Sequence, residues 1–212
     1  MRHLVIDGAS YAEILVLPDS VDLTQLEKVG VDVDEVSASD NASSDNPIFH
    51  DRRLIFHCSP IGKDIPWTRS KLAEAINGKV VKFTTSDMLD TYWIGKGEVS
   101  PFLDGRGGST FAISADIEPY KYEVEEAVIH AVASEGEGTF VTLNNLHKHA
   151  IPTVRSNGDA ELVVGTTRHT LSKDSSTIEG FTLESGANVV QLVGDRTFVE
   201  FKWKRASCSS AN

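Results

Sequence analysis

The sequence predicts a mainly β protein with one short helix, and two observations support this fold class. Apolar and polar residues alternate in several segments with a period of two, which is the period of a strand with one buried face. Turn-forming sequences separate these segments, among them residues 104–108, Asn157-Gly158-Asp159 and Gly194-Asp195-Arg196. One segment follows the helical period instead.

The alternation is clearest in three segments, and we predict that each forms a strand. In each of them one set of alternate residues is apolar and suits a buried face. The apolar sets are Leu54, Phe56 and Cys58; Phe111, Ile113, Ala115 and Ile117; and Val199, Phe201 and Trp203.

A tight turn is predicted at the Asn157-Gly158 dipeptide. Both residue types tolerate the positive φ angles that two-residue hairpin turns require. We therefore expect residues 151–156 and 160–164 to pair as antiparallel strands.

The helical segment extends from Asp64, which can cap it, to the stop signal Asn77-Gly78. Pro66 is tolerated in the first turn, because its missing N–H would have no partner there. Leu72 and Ile76 are four residues apart and so fall on one face. We predict a short helix packed against a largely β core.

Length and composition limit the architecture. The chain has 212 residues and a mass of 23.1 kDa, enough for one large domain or two small ones. Hydrophobic residues make up 40% and charged residues 24%, which excludes a wholly disordered chain. We expect no membrane insertion and no secretory signal, and we therefore expect production in a cytoplasm with Cys58 and Cys208 as free thiols.

The negative charge is concentrated at the start of the chain. The formal net charge is −11, and residues 1–46 hold ten acidic residues against Arg2 and Lys28, a net charge of −8. Such a protein is not expected to bind nucleic-acid phosphates, because that binding depends on clustered Lys and Arg. The charge favours either solubility or an acidic surface that repels DNA.

Two changes in composition divide the chain. Residues 31–47 are rich in Asp, Ser, Asn and Ala, which predicts a long exposed loop or arm. A second change near residue 122 separates residues 1–122, which hold the helix, from residues 123–212. The second part has frequent turn signals and no helical pattern, which is typical of a β-sandwich.

No residue pattern identifies a catalytic site. Asp32, Asp34 and Glu35 lie in a polar stretch, whereas paired catalytic carboxylates need burial to separate their pKa values. His147 and His149 could begin a metal site on a strand, but no third ligand is signalled nearby.

Other reactive or aromatic residues also have a structural interpretation. His57 and Cys58 are adjacent on a predicted strand and point to opposite faces, so His57 cannot activate the thiol, and Cys58 is predicted to be a core residue. Tyr92-Trp93 and Trp203 could stack on sugar rings, although aromatic residues in such strands are more often core or interface residues. We predict no enzymatic activity and no bound metal or cofactor.

Several short motifs occur in a distinctive order along the chain. They begin with a strand and an Asp-Gly turn, and they continue through the end of the helix into the second half. In order they are residues 4–8, Asn77-Gly78-Lys79, Tyr92-Trp93-Ile94-Gly95, Pro119-Tyr120-Lys121-Tyr122, Leu143-Asn144-Asn145 and residues 151–154.

This order resembles that of the distal tail protein family of long-tailed (siphovirus-type) bacteriophages, over most of residues 1–205. The resemblance implies an N-terminal domain, residues 1–122, that forms a hexameric ring at the end of the tail tube. It also implies an arm or belt, at residues 31–50 here, that clasps the neighbouring subunit. Residues 123–212 would then form a galectin-like β-sandwich that projects outward.

The resemblance also implies partners and a location. The expected partners are the major tail tube protein, the tail hub or tail-associated protein, and receptor-binding or baseplate proteins of a virion tail tip. The genome must pass through the ring without specific binding, and a negative lumen would repel DNA over the ~8–10 Å that salt allows. The candidate lumen and interface residues are Asp19, Asp22, Asp32, Asp34, Glu35, Tyr92 and Trp93.

Two other functions remain open from the sequence. A galectin-like sandwich could bind carbohydrate in host-surface recognition, with Asn145, His147 and Trp203 on one sheet face. A hydrolase could use the acidic loop that carries Asp32 and Asp34.

Overall fold

The computed structural model describes residues 2–25, 52–61, 65–101, 103–105, 108–174 and 177–208. Within these residues strands predominate and one helix is present, which confirms the mainly β fold class. The chain divides into two compact units, Met1–Pro119 and Tyr120–Cys208. In the described part of the chain, no helix is both long and apolar enough to span a membrane.

The first unit contains a closed β-barrel. Six strands pair antiparallel in the cyclic order β1-β2-β3-β7-β5-β4, and β4 pairs again with β1. A short strand, β6, pairs with β7. The strands are β1 (His3–Ile6), β2 (Ala9–Gln25), β3 (Arg52–Pro60), β4 (Val80–Thr85), β5 (Thr91–Val99), β6 (Leu103–Gly105) and β7 (Gly108–Ile117).

The predicted alternation of β3 is confirmed. Leu54, Phe56 and Cys58 have no exposed surface and contribute to the barrel core. Arg53 and His57, on the other face, are exposed, and Ile55 between them is half-buried. Alternate burial is what a strand with one face in a barrel requires.

The helix α1 (Ile65–Ile76) packs against the barrel through the two residues predicted for its buried face. Leu72 and Ile76 have no exposed surface and belong to the same core cluster as the barrel strands. Gly78 follows with a φ of 73°, the left-handed conformation expected after a helix end. The predicted cap, Asp64, lies outside the described residues.

Two glycines of β5 allow close packing around the barrel. A Cβ atom at Gly95 would lie 2.4 Å from the carbonyl oxygen of Asp116 in β7. A Cβ atom at Gly97 would lie 2.4 Å from Ile76 Cγ2 of α1 and 2.7 Å from Phe83 Cζ. The absence of side chains therefore lets β5 approach both β7 and the helix.

The second unit contains two antiparallel sheets that enclose one core. The sheet orders are β10-β14-β12-β13 and β11-β15-β9. The strands β8 and β16 of this unit pair with each other as an antiparallel ribbon. Leu143, Leu162 and Val190 of the first sheet are buried in one cluster with Val154 and Phe201 of the second. The strands are β8 (Tyr120–Glu123), β9 (Ala127–Val132), β10 (Thr139–Asn145), β11 (Thr153–Ser156), β12 (Ala160–Val164), β13 (Thr167–Leu171), β14 (Gly186–Val193), β15 (Phe198–Trp203) and β16 (Ala206–Cys208).

The predicted hairpin between residues 151–156 and 160–164 is wrong. β11 pairs with β15, whereas β12 pairs with β13 and β14, so the two segments belong to different sheets. Neither Asn157 nor Gly158 has a positive φ angle, which the predicted turn requires. The Asn157 side-chain oxygen instead accepts a 2.9 Å hydrogen bond from the backbone N–H of Phe198, at the start of β15.

Candidate assembly and recognition surfaces

The β2–β3 ladder brings together the two ends of the segment that contains the predicted arm. Gln25, the last residue of β2, lies opposite Arg52, the first residue of β3. The 26 residues between them, which hold seven acidic residues and one lysine, lie outside the described part of the chain. The arm at residues 31–50 therefore stays a prediction, but both ends of its segment are held at one point of the barrel.

The structure places two of the five acidic candidates. Asp19 and Asp22 lie in β2, and Asp22 is opposite Ile55 of β3 in the ladder. The other three candidates, which lie outside the described residues, are Asp32, Asp34 and Glu35. A lumen exists only in an assembly, so the proposed lining role of these residues stays a prediction.

The two aromatic candidates belong to β5 and are largely buried in the chain itself. Trp93 is 4% exposed and meets Phe56 edge-on, with 6.3 Å between the ring centroids. Tyr92 is 7% exposed, and the Lys82 Nζ lies 5.0 Å from the centre of its ring. Trp93 is therefore a barrel core residue, and a place for either side chain at a subunit interface stays a prediction.

The tyrosines of the Pro-Tyr-Lys-Tyr motif lie on β8 and are held by a lysine of the second unit. Lys148 donates a hydrogen bond to the hydroxyl of Tyr122, and its Nζ lies 5.3 Å and 4.8 Å from the ring centres of Tyr120 and Tyr122. Arg205 forms a 2.8 Å ion pair with Glu123 at the end of the strand. These contacts fix the ribbon β8-β16 to the rest of its unit.

Cys58 is a core residue, as predicted. Burial raises the pKa of its thiol to about 12, so the thiol is neutral near pH 7. Nucleophilic and metal-binding cysteines act as thiolates. His57 lies on the opposite, exposed face of β3, so the two side chains do not form a catalytic pair.

The two histidines of the predicted metal pair have separate partners. The Nδ1 atom of His147 accepts a 3.2 Å hydrogen bond from the backbone N–H of Cys208. The Nε2 atom of His149 lies 2.7 Å from Glu184. Among the described residues, no group of three or more His, Cys, Asp or Glu side chains could hold a metal ion.

The three residues considered for carbohydrate contact do not share an open sheet face. Trp203 is 3% exposed and belongs to the sandwich core. Asn145 is 5% exposed, and its side-chain N–H groups donate to the carbonyls of Lys148 and Leu183. Only His147 is exposed, so this arrangement offers no aromatic ring to a sugar.

The outer surface of the three-stranded sheet carries a cluster of polar and apolar side chains that the sequence alone did not indicate. The strand register places Arg155, Glu200 and His130 in one row across β11, β15 and β9. Phe198 and Val132 form the neighbouring row, and the His130 ring stacks on Phe198 with 5.3 Å between centroids. We call these five residues the β9–β15 face. The alternation of each strand can be read from the sequence. The register that aligns the three strands cannot, so the sequence does not show that these residues lie together.

The charged groups of the β9–β15 face are only loosely paired with one another. Glu200 Oε2 lies 3.8 Å from His130 Nδ1, which is longer than a hydrogen bond. Within the described part of the chain, the side chains of Glu200 and Arg155 make no hydrogen bond and no closer ion pair. On the outer face of the four-stranded sheet, by contrast, Arg168 and Glu161 form a 2.6 Å ion pair.

Comparison with known proteins adds a relationship in fold. Neither a protein-family model nor a curated protein sequence matches the chain. Among solved structures, however, the chain shares its two-unit β fold with a phage tail protein. That structure is the crystal structure of Dit (gp19.1) of SPP1, described as a paradigm of the hub adsorption apparatus in phages that infect Gram-positive bacteria.

The likeness to SPP1 Dit extends over nearly the whole of both chains. It covers 96% of this chain and 99% of the Dit chain, with a TM-score of 0.58 and 12% sequence identity. At this identity the likeness shows the fold, and at that level it confirms the predicted resemblance to distal tail proteins. A de novo designed double-stranded β-helix, solved by solution NMR, also matches over 39% of this chain and 99% of its own, with 22% identity. Its TM-score of 0.26 is too low to carry an argument.

Proposed function

We propose that this protein is a structural component of the tail tip of a long-tailed phage or prophage, of the distal tail type. The observation that carries the proposal is the likeness to SPP1 Dit over 96% of this chain and 99% of that one. Barrels and sandwiches each occur in many unrelated proteins, but both units in this order are a more specific match than either alone. The protein would act through its surfaces and not as an enzyme.

We further propose that six copies form a closed ring through the first unit. A ring needs a head-to-tail interface whose rotation closes on itself. The six barrel strands already have a neighbour on each side, whereas β6 pairs only with β7 among the described residues of its unit. The subunit interface would therefore use the barrel's outer side chains and the segment between β2 and β3, more than a sheet continued from one subunit to the next.

The segment between β2 and β3 has the length to act as the arm of such a ring. A loop of 26 residues held at adjacent ends can reach outward by half its contour, about 40 Å at ~3.3 Å per residue. This reach exceeds the diameter of a small domain. Residues 31–50 could thus clasp a neighbouring subunit, and the acidic residues near them could line the bore and repel the passing genome.

The remaining contacts follow from this position in the tail. The ring would join the tail tube protein on one side to the tail hub or tail-associated protein on the other. The second unit, which we propose to be a galectin-like sandwich, would hold receptor-binding or baseplate proteins. The protein would thus be made in the host cytoplasm and end in the virion tail tip, with a role in host attachment.

The assembly state of the purified protein tests the proposal. We expect mass photometry to give a species of six times the 23.1 kDa chain mass, and electron microscopy to show a ring with a central opening. A protein that stays monomeric or forms only a two-fold dimer at micromolar concentration, alone and with its tail partners, would contradict the ring.

A further inference from the structure

We propose that the β9–β15 face is a saccharide-binding surface. This function goes beyond the assembly role proposed above and does not require that the ring forms. The face consists of Arg155, Glu200, His130, Phe198 and Val132 on adjacent strands of the three-stranded sheet.

The first reason is the row of loosely paired polar groups. Arg155 offers N–H donors, Glu200 offers acceptor oxygens, and His130 can do either. Because Glu200 Oε2 and His130 Nδ1 are 3.8 Å apart, a ligand hydroxyl that lies above the pair can reach both atoms at hydrogen-bond distance. Each sugar hydroxyl is both a donor and an acceptor, so neighbouring hydroxyls suit a row in which a carboxylate lies between a guanidinium and an imidazole.

The second reason is the apolar platform beside that row. Phe198 is 41% exposed and Val132 is 49% exposed, although both are large hydrophobic residues. The His130 ring stacks on Phe198 with 5.3 Å between the ring centroids, which holds the two rings together beside Val132. The C–H face of a pyranose ring could pack on this platform while its hydroxyls reach the polar row.

The opposite face of the sandwich shows that an exposed phenylalanine alone would not suffice. Phe140 is 68% exposed on the outer face of the four-stranded sheet. The charged groups of that face, Arg168 and Glu161, are already paired at 2.6 Å. A ligand there would have to break a 2.6 Å ion pair, whereas the Glu200–His130 contact on the β9–β15 face is longer, at 3.8 Å.

The size of the β9–β15 face favours a small ligand over a protein. Three strands about 4.8 Å apart and six residues long, at ~3.3 Å per residue, present about 200 Å². A stable protein interface buries about 800 Å² on each partner. The face therefore fits one to three sugar units, and we assign it to an oligosaccharide; that this oligosaccharide belongs to the bacterial cell surface rests on the proposed function.

The test uses the full-length protein and matched variants of the two faces. An array of bacterial cell-surface saccharides identifies a ligand for the unaltered protein, and calorimetry then measures its dissociation constant. We expect Phe198→Ala and Glu200→Gln each to weaken binding at least about tenfold. The first substitution removes the apolar platform, and the second removes the charge of the acceptor. The controls Phe140→Ala and Glu161→Gln on the opposite face should change binding less than about twofold.

The result is informative even if one variant is unstable. Glu200→Gln keeps the shape of the side chain, so this variant tests the site if Phe198→Ala does not fold. The proposal is overturned if no saccharide binds the unaltered protein, if Glu200→Gln binds like it, or if the control variants lose binding. A partner protein that binds this face and is lost in Glu200→Gln would also overturn the saccharide assignment. Mass photometry of the same samples reports ring assembly separately.

Discussion

Gly95 is a residue at which the missing side chain allows two barrel strands to pair closely. A Cβ atom there would lie 2.4 Å from the carbonyl oxygen of Asp116 and 2.6 Å from Ile117 Cγ2. Because both contacts belong to β7, an added methyl group would push the two strands apart. We expect Gly95→Ala to lower the free energy of unfolding by about 1–3 kcal/mol, as overpacking of a core does, measured by urea denaturation.

Gly158→Ala is a matched control for this substitution. A Cβ atom at Gly158 would lie 3.6 Å from Thr197 Oγ1, which is an ordinary contact, and its φ angle is not positive. We expect its effect to stay within about 0.5 kcal/mol. Equal losses in the two variants would mean that the β5–β7 contact is not the cause.

Cys58 predicts a pH dependence on the alkaline side. Burial raises the pKa of its thiol from 9.0 to about 12, and unfolding returns it to its ordinary value. Above pH 9 the unfolded chain therefore binds fewer protons than the folded chain, and unfolding becomes more favourable. The thiol's contribution to stability is complete below about pH 9 and is lost as the pH rises towards 12.

Urea denaturation between pH 8 and about 10.5 checks this prediction. Because tyrosines and lysines also titrate there, the comparison is with Cys58→Ala, which is less stable at every pH but lacks the thiol. We expect the stability of the unaltered protein to fall more steeply with pH than that of the variant. Parallel curves would show that Cys58 does not titrate on unfolding in this range.

At the scale of elements, the faces of strands were predictable and their pairing was not. The burial of Leu54, Phe56 and Cys58 follows from their own alternation, which needs no knowledge of the partner strand. The partner of β11 is β15, and the intervening strands β12, β13 and β14 belong to the other sheet. A local Asn-Gly signal cannot distinguish a hairpin from this crossing between sheets.

The β9–β15 face was missed for the same reason. Arg155, Glu200 and His130 come from three strands that are distant in sequence. Each is one polar residue in an alternating strand, which is also what a solvated face contains. Only the register of the sheet brings them into one row.

The segment between β2 and β3 can be tested as an element. Replacing residues 31–46 with a short Gly-Ser linker should leave the stability of the barrel unchanged, because Gln25 and Arg52 are already adjacent in the ladder. If this segment is the arm, the variant should not assemble into rings. Thermal unfolding measures the first expectation and mass photometry the second.

A same-length control separates the sequence of the arm from its length. Here a Gly-Ser segment of equal length replaces residues 31–46. Loss of the ring in both variants would indicate that the side chains of the arm make the contact. Intact rings in the short-linker variant would contradict the arm.

At the scale of the whole molecule, the fold persists although most residues differ from those of SPP1 Dit. The two chains share 12% identity over 96% of this chain. A pattern of buried and exposed positions can specify a fold with many different side chains, provided that volume and periodicity are kept. This is why the order of short motifs predicted the architecture, whereas individual contact residues could not be transferred.

The charge distribution of the whole chain gives the last prediction. Residues 47–119 hold nine acidic and nine basic residues, so the net charge of −8 in residues 1–119 comes from residues 1–46. If this charge lines the bore of a ring, reversing it should let the ring bind DNA. The variant replaces the five acidic candidates with lysine; they are Asp19, Asp22, Asp32, Asp34 and Glu35.

We expect this variant to bind linear double-stranded DNA with an affinity that falls steeply as salt rises, whereas the unaltered protein does not bind. Fluorescence anisotropy with labelled DNA measures both. The control has the same net charge but places the five lysines on exposed positions of the second unit, at Glu125, Glu135, Glu137, Glu179 and Asp195. Because a bore surrounds the DNA and concentrates the charge of six subunits, the first variant should bind more tightly than the control. Equal binding by the two variants would show that the acidic residues near the start of the chain lie outside the path of the genome.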